Sequence, residues 1–217
     1  GCQALPSTSG GPVKSYFRRV FDHWGLPDAI RTDNGAPFAS TAPRGLTKLS
    51  AWWVGLGIDH QRTDPGEPQQ NGRHERMHLT LKEHTARPGE ETMAAQQETF
   101  DSFRGFFNQL RPHEALDQTP PANHHQESRR PFTDSPPSID YSTCDLTRKV
   151  KSTGQIQVAD ERFYITEALS GFRVGLTEVA VDVWVVTFAD KDVGYFEPGD
   201  KSISALRDNE SVKRMRF

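Results

Sequence analysis

Cysteine is almost absent from the chain: Cys2 and Cys144 are the only two, 142 positions apart, with no Cys-x-x-Cys pair. A disulfide framework and a zinc knuckle therefore lack their raw material, and two reduced thiols in a cytosol-type compartment are expected. Long apolar runs are missing too, since nothing approaches the roughly 20 residues needed to cross a bilayer. Charge of one sign is equally scarce. The 26 basic residues stand against 29 acidic ones, a net of −3, so bulk charge announces no polyanionic partner. Glycine and proline, 17 and 15 of 217 residues, stay well short of low-complexity content. The opening Gly1-Cys2-Gln3-Ala4-Leu5 shows neither an initiator methionine nor a signal-peptide pattern, and reads as the interior of a longer protein. What is present, 34% apolar and 10% aromatic residues, suffices for one packed domain and a small appendage.

Apolar spacing organises the first half. Val13, Phe17, Val20, Phe21 and Trp24 recur at three and four, and Gly25-Leu26-Pro27 stops the helix they predict. Ala29 to Thr32 is a short strand ending at Asp33-Asn34-Gly35, a tight turn. Leu46, Leu49, Trp53 and Leu56 mark a second helix, and Ile58 to Arg62 a second strand. Thr63 to Asn71, with Pro65, Gly66 and Pro68, is a surface loop leading into a helix that reaches about Ala86. Met93, Ala94, Phe100, Phe103, Phe107 and Leu110 describe a longer core-facing helix. Alternating helices and strands predict an α/β fold.

Five prolines between Thr119 and Pro137 then indicate an extended linker. Beyond it the period changes to two, in Gln155 to Val158, Phe172 to Leu176, Val181 to Phe188 and Val193 to Phe196, which predicts a small antiparallel barrel. The expected division is a partial core over 1–117, a Pro-rich linker over 118–145, the β-barrel over 146–206 and a solvated tail over 207–217.

Three features could carry chemistry. Asp33 closes a strand, where an α/β sheet offers side chains to a ligand at its carboxyl edge, and a carboxylate there can hold a divalent metal. On the tripeptide alone, turn chemistry accounts for Asp33-Asn34-Gly35 as well. Glu75 and Lys82 are seven residues apart on one helix and therefore share a face, with His78 between them and Met77 and Leu81 behind. A solvated helix face would look the same. Finally, His74-Glu75-Arg76-Met77-His78 spells the zinc-hydrolase pattern. Arg73 and Arg76 would place positive charge beside the dication, and no third ligand has a defining spacing, so a zinc metallohydrolase is the remote alternative.

In order along the chain, Ile30-Arg31-Thr32-Asp33-Asn34-Gly35, Leu56-Gly57-Ile58, Pro65-Gly66-Glu67-Pro68, Asn71 to His78 with Leu81-Lys82, Phe107-Asn108, Arg111 to Leu116 and Pro120-Pro121 resemble the bacterial insertion-sequence transposases with a retroviral-integrase-like catalytic core, of the DDE superfamily. The likeness covers residues 1 to about 125, and the β segment is more loosely similar to the Src-homology-3-like domain some of them carry. The resemblance implies a ribonuclease-H-like fold and metal-dependent cleavage and joining of DNA, in integration and transposition. It implies two Mg²⁺ or Mn²⁺ ions held by a triad of two Asp and one Glu. Asp33 matches the second Asp and Glu75 the final Glu. Arg73, Arg76 and Lys82 would meet backbone phosphates, which positions DNA without reading its sequence. The implied partners are double-stranded DNA, as transposon ends and target, and further copies of the chain, in a bacterial nucleoid-associated setting without a membrane.

Two departures from the family pattern stand out. The familiar spacing between second Asp and Glu is thirty-five residues, whereas 41 stand between Asp33 and Glu75, the excess falling in Ala36 to Lys48. The first Asp has no counterpart: Asp22 lies in a helix and Asp28 directly follows its stop. An N-terminally truncated enzyme, inactive by itself, is therefore expected, and a non-catalytic DNA-binding or oligomerisation remnant is the alternative.

Overall fold

The computed structural model of the chain describes residues 1–64, 72–86, 88–134 and 138–206. The greater part of the predicted 63–71 loop, three residues of the predicted linker and the whole predicted tail lie outside the described residues. The chain forms two compact units, each assembled from two stretches: 1–27 with 62–133, and 28–61 with 134–217.

In the first unit, helix α1 runs Gly10–Trp24, three residues earlier than the apolar spacing implied. It stops at Gly25, whose amide reaches Phe21 O and whose φ of 76° is the left-handed region open to glycine. A Cβ there would also lie 2.7 Å from Arg130 O, because the Pro-rich stretch folds back on this corner. Leu26 N donates to Arg130 O at 2.8 Å, and Ser128 Oγ to Leu26 O at 2.6 Å. Helix α3, Gly72–Thr85, and helix α4, Met93–Gly105, complete the unit, and Gln96 Nε2 ties them by donating to Thr85 O at 2.8 Å.

The core-facing expectation for α4 needs correcting. Phe103 is buried and Phe100 and Phe107 half-buried, but Met93 and Leu110 are exposed. Met93 opens the first turn. Phe106–Leu110 is a π-helical turn, closed by Arg111 N on Phe106 O at 2.9 Å, and its extra residue rotates Leu110 off the apolar stripe.

The second unit opens with strand β1, Ala29–Thr32, paired with β2, Asp59–Arg62, in a two-stranded sheet. Between them in sequence runs α2, Lys48–Gly55, which starts at a reciprocal cap: Thr47 Oγ1 accepts from Ser50 N while Ser50 Oγ accepts from Thr47 N. Every residue of α2 after Lys48 is buried, so it is a core helix and not a surface one.

The C-terminal part supplies strands β3 (Leu146–Lys149), β4 (Gln155–Val158), β5 (Glu161–Tyr164), β6 (Arg173–Ala180), β7 (Val183–Phe188) and β8 (Lys191–Phe196). β3-β6-β7-β8 is a four-stranded antiparallel sheet, and β4-β5 is a hairpin that forms its own two-stranded sheet. Backbone bonds run between the two at both sides. Lys151 N donates to Gln155 O at 2.8 Å after β3, and residues 201–204 bond to Tyr164 of β5 and to Tyr195 of β8. Inside lie Ile156, Phe163, Leu169, Val174, Leu176, Val186, Phe188 and Phe196, all buried, with Phe163 and Phe196 rings 4.1 Å apart. The antiparallel β content expected in this region is present, and the architecture as a whole is mixed α/β.

Candidate active site

Asp33 stands at the C-terminal end of β1, in the second unit. Its Oδ1 accepts from Gly35 N at 3.0 Å, closing a turn that continues with Phe38 N and Ala39 N on Gly35 O. No other hydrogen bond reaches this exposed carboxylate among the described residues. Beneath it Thr32 is buried, its hydroxyl 2.9 Å from His60 Nε2 of β2. His60 in turn packs edge-on to Trp53 of α2, which is fully buried, and Phe38 stacks on the same indole at 5.9 Å. The exposed acid thus caps an ordered column of β1, β2 and α2 side chains. His60 was not singled out from sequence, because every residue of the strand Asp59-His60-Gln61-Arg62 is polar and none stands apart from its neighbours.

Glu75 lies in the first turn of α3, in the first unit, where the helix dipole favours a carboxylate. Glu75, Arg76, His78, Leu79, Lys82 and Glu83 are all exposed, whereas Met77 and Leu81 are half-buried and Thr85 buried. The expected two-sided helix is there. Glu75, Leu79 and Lys82 follow one another along its solvent face, at steps of four and three. The side chains of Arg73 and His74 lie outside the described residues, which leaves the zinc-hydrolase motif without its first histidine to examine. Among the described residues no three His, Cys, Asp or Glu side chains converge as a metal site would require. Asp33 and Glu75 belong to different units, and each is described within its own.

The second unit also contains a cavity of about 480 Å³ lined by Asp28, Asp59, Asp140, Asp190 and Lys191, among others. Asp33 is not part of it. Lys191 Nζ donates to Asp59 Oδ1 at 2.8 Å, and this bond, with one from Gln61, holds the Asp59 carboxyl below the usual carboxylate range. Four carboxylates against one ammonium make it a poor place for a phosphate, so this cavity does not coincide with the candidate site.

The Integrase core domain family matches residues 56–121, which include Glu75 and Lys82 and begin after Asp33. The Insertion element IS476 uncharacterized 39.2 kDa protein of Xanthomonas euvesicatoria is 34% identical over 99 residues, 45% of this chain and 27% of that protein. The Pol polyprotein of Radiation murine leukemia virus (strain Kaplan) is 35% identical over 71 residues, 33% of this chain and 11% of the polyprotein. The chain therefore spans about a quarter of the insertion-element protein and far less of the viral one. A chain of the cryo-EM structure of the simian T-cell lymphotropic virus intasome in complex with PP2A regulatory subunit B56 gamma superposes with a TM-score of 0.42 at 16% identity, covering 91% of this chain and 65% of that one. Residues 56–121 are thus similar to the Integrase core domain, and parts of the chain to an insertion-element protein and a retroviral Pol polyprotein.

Proposed function

We propose that the chain is the catalytic part of an insertion-sequence transposase, built on a ribonuclease-H-like core, that cleaves and joins DNA during transposition. The observation that carries this reading is the solvent face of α3, which presents Glu75 and Lys82 within the matched segment. Asp33 and Glu75 would be its metal ligands. Both are open carboxylates, the hard oxygen donors that suit Mg²⁺ or Mn²⁺, and such ions would supply charge neutralisation at the reacting phosphate. Arg73, Arg76 and Lys82 would hold the DNA backbone. Residues 1–117 would form the partial core, 118–145 a linker, 146–206 a Src-homology-3-like barrel and 207–217 a tail, in a homo-oligomer assembled on transposon ends and target.

These 217 residues supply two of the three family carboxylates, so by themselves they should not join DNA. Strand transfer on terminal-repeat oligonucleotides with Mg²⁺ tests this, and robust turnover by the chain alone overturns it. In a version extended with the family's first strands, Glu75→Gln should abolish transfer. If that variant retains activity, Glu75 is not a ligand.

A non-catalytic DNA-binding role is favoured by a separate observation. Arg148 Nε donates to Gln157 O at 2.9 Å, Lys151 Nζ lies 3.5 Å from Gln157 Oε1, and Arg162 is the cross-strand partner of Gln157. Lys149 and Arg173 face each other across β3 and β6, where like charges are unfavourable unless an anion joins them. None of these five cations is ion-paired among the described residues. Binding to duplex DNA that weakens steeply with salt, and weakens further in Lys149→Ala/Arg173→Ala, would establish this reading even if catalysis is absent.

A further inference from the structure

We infer that the C-terminal β strands act as the scaffold that positions Asp33, so that Gly55 and Phe172 are positioning residues for the strand that carries it. The inference rests on reading Asp33 as a site residue.

The strand β1 cannot hold itself in place. It has four residues and one partner strand of four, and a two-stranded sheet of that size is marginal without a covering layer. The cover is α2, and α2 is rooted among the C-terminal strands. Ala51 and Val54 belong to the same buried cluster as Val150, Leu169, Val174 and Leu176, with Leu46 packed against it. Gly55 approaches Phe172 so closely that a Cβ would sit 2.6 Å from its Cε1, and Phe172 in turn meets the Phe188 ring at 5.1 Å. Only glycine allows that contact.

Polar bonds repeat the connection at two other points. Arg44, in the longer-than-usual loop between β1 and α2, takes a φ of 58° and donates from Nε to Asp192 O at 2.7 Å. Lys191 bonds Asp59 at the start of β2. Loop, helix and partner strand are thus each fastened to β6, β7, β8 or the turns beside them. From α2 and β2 the connection passes through Trp53 and His60 to Thr32, directly before Asp33. A satellite domain would leave this column untouched when it is perturbed, whereas a scaffold transmits the change.

The full chain serves for the test, read by amide hydrogen exchange in peptides spanning 29–35 and 174–196. Phe172→Ala should speed exchange in 29–35 by tenfold or more while 174–196 stays protected. Gly55→Leu should do the same, and Gly55→Leu/Phe172→Ala, in which the new side chain fills the vacated space, should restore protection to within about threefold. Mn²⁺-induced broadening of the Asn34 and Gly35 amide signals is the second readout, which a purely structural contact would not move: it should fall in Phe172→Ala and return in the double variant. Should Gly55→Leu unfold the whole chain, Phe172→Ala and the double variant still decide the matter. Unchanged exchange in 29–35 with Phe172→Ala, or equal loss across both peptides without rescue, overturns the inference. Failure of the transposase reading would show separately, as an active Glu75→Gln enzyme with the exchange pattern intact.

Discussion

The two units differ in how they dispose of their large apolar side chains. The 28–61 and 134–217 unit buries Trp53, Ile156, Leu169, Leu176, Phe188 and Phe196 almost completely. The 1–27 and 62–133 unit buries Val13, Phe21, Leu26 and Phe103, yet leaves Leu79 at 59% and Leu110 at 71% exposure, together with Trp24, Met93 and Phe106. The second unit is not free of exposed apolar side chains either, since Tyr164 and Val181 are exposed there. The difference is one of degree: the second unit has the larger fully buried apolar interior.

Phe196→Ala should break the contrast most severely, because it empties the centre of the β core beside Phe163; a loss of about 3–5 kcal/mol in chemical denaturation is expected. Thr47→Ala removes the cap of α2 and should cost about 1 kcal/mol in the same measurement. A smaller effect is expected of Lys191→Met. Asp59 has its folded pKa lowered by the hydrogen bond from Lys191, so the pair contributes above the unfolded value of about 4 and is lost as pH falls through the folded one. The side chains are 37% and 50% exposed, so solvent screening leaves about 0.2–1 kcal/mol at pH 7. Parent and variant denaturation curves should converge in acid. Smallest of all, Leu110→Ala should change stability by less than about 0.5 kcal/mol. A larger loss there would mean that the first unit is as tightly built as the second.

Much of this was legible in the residues. Period-three and period-four spacing located α1 and α2 within a few positions, the Pro- and Gly-bearing loop before it located α3, and alternation located β4, β6, β7 and β8. The exposed face of α3 followed from seven-residue spacing alone. Other features were hidden for physical reasons. β3 and β5, Leu-Thr-Arg-Lys and Glu-Arg-Phe-Tyr, are four residues long and half charged, so hydrogen-bond partners and not side-chain pattern define them. The π turn at Phe106 changes the helical period locally, which a uniform spacing rule reads as continuous helix. Burial of α2 all round looked one-sided because its serine and glycine pack as well as its leucine. Least visible was the fastening of 28–61 to strands more than a hundred residues later, since a glycine's closeness to Phe172 leaves no mark in spacing.

The short segment after β8 has a bearing on where the chain can be cut. Ile203 N donates to Tyr164 O, and Ser204 exchanges two backbone bonds with Tyr195, so these residues occupy the open sides of β5 and β8. Removing them would bare two rows of unpaired amides and carbonyls, the template on which strands from separate molecules join edge to edge. A version of these β sheets that keeps both edges covered must therefore extend at least through Ser204.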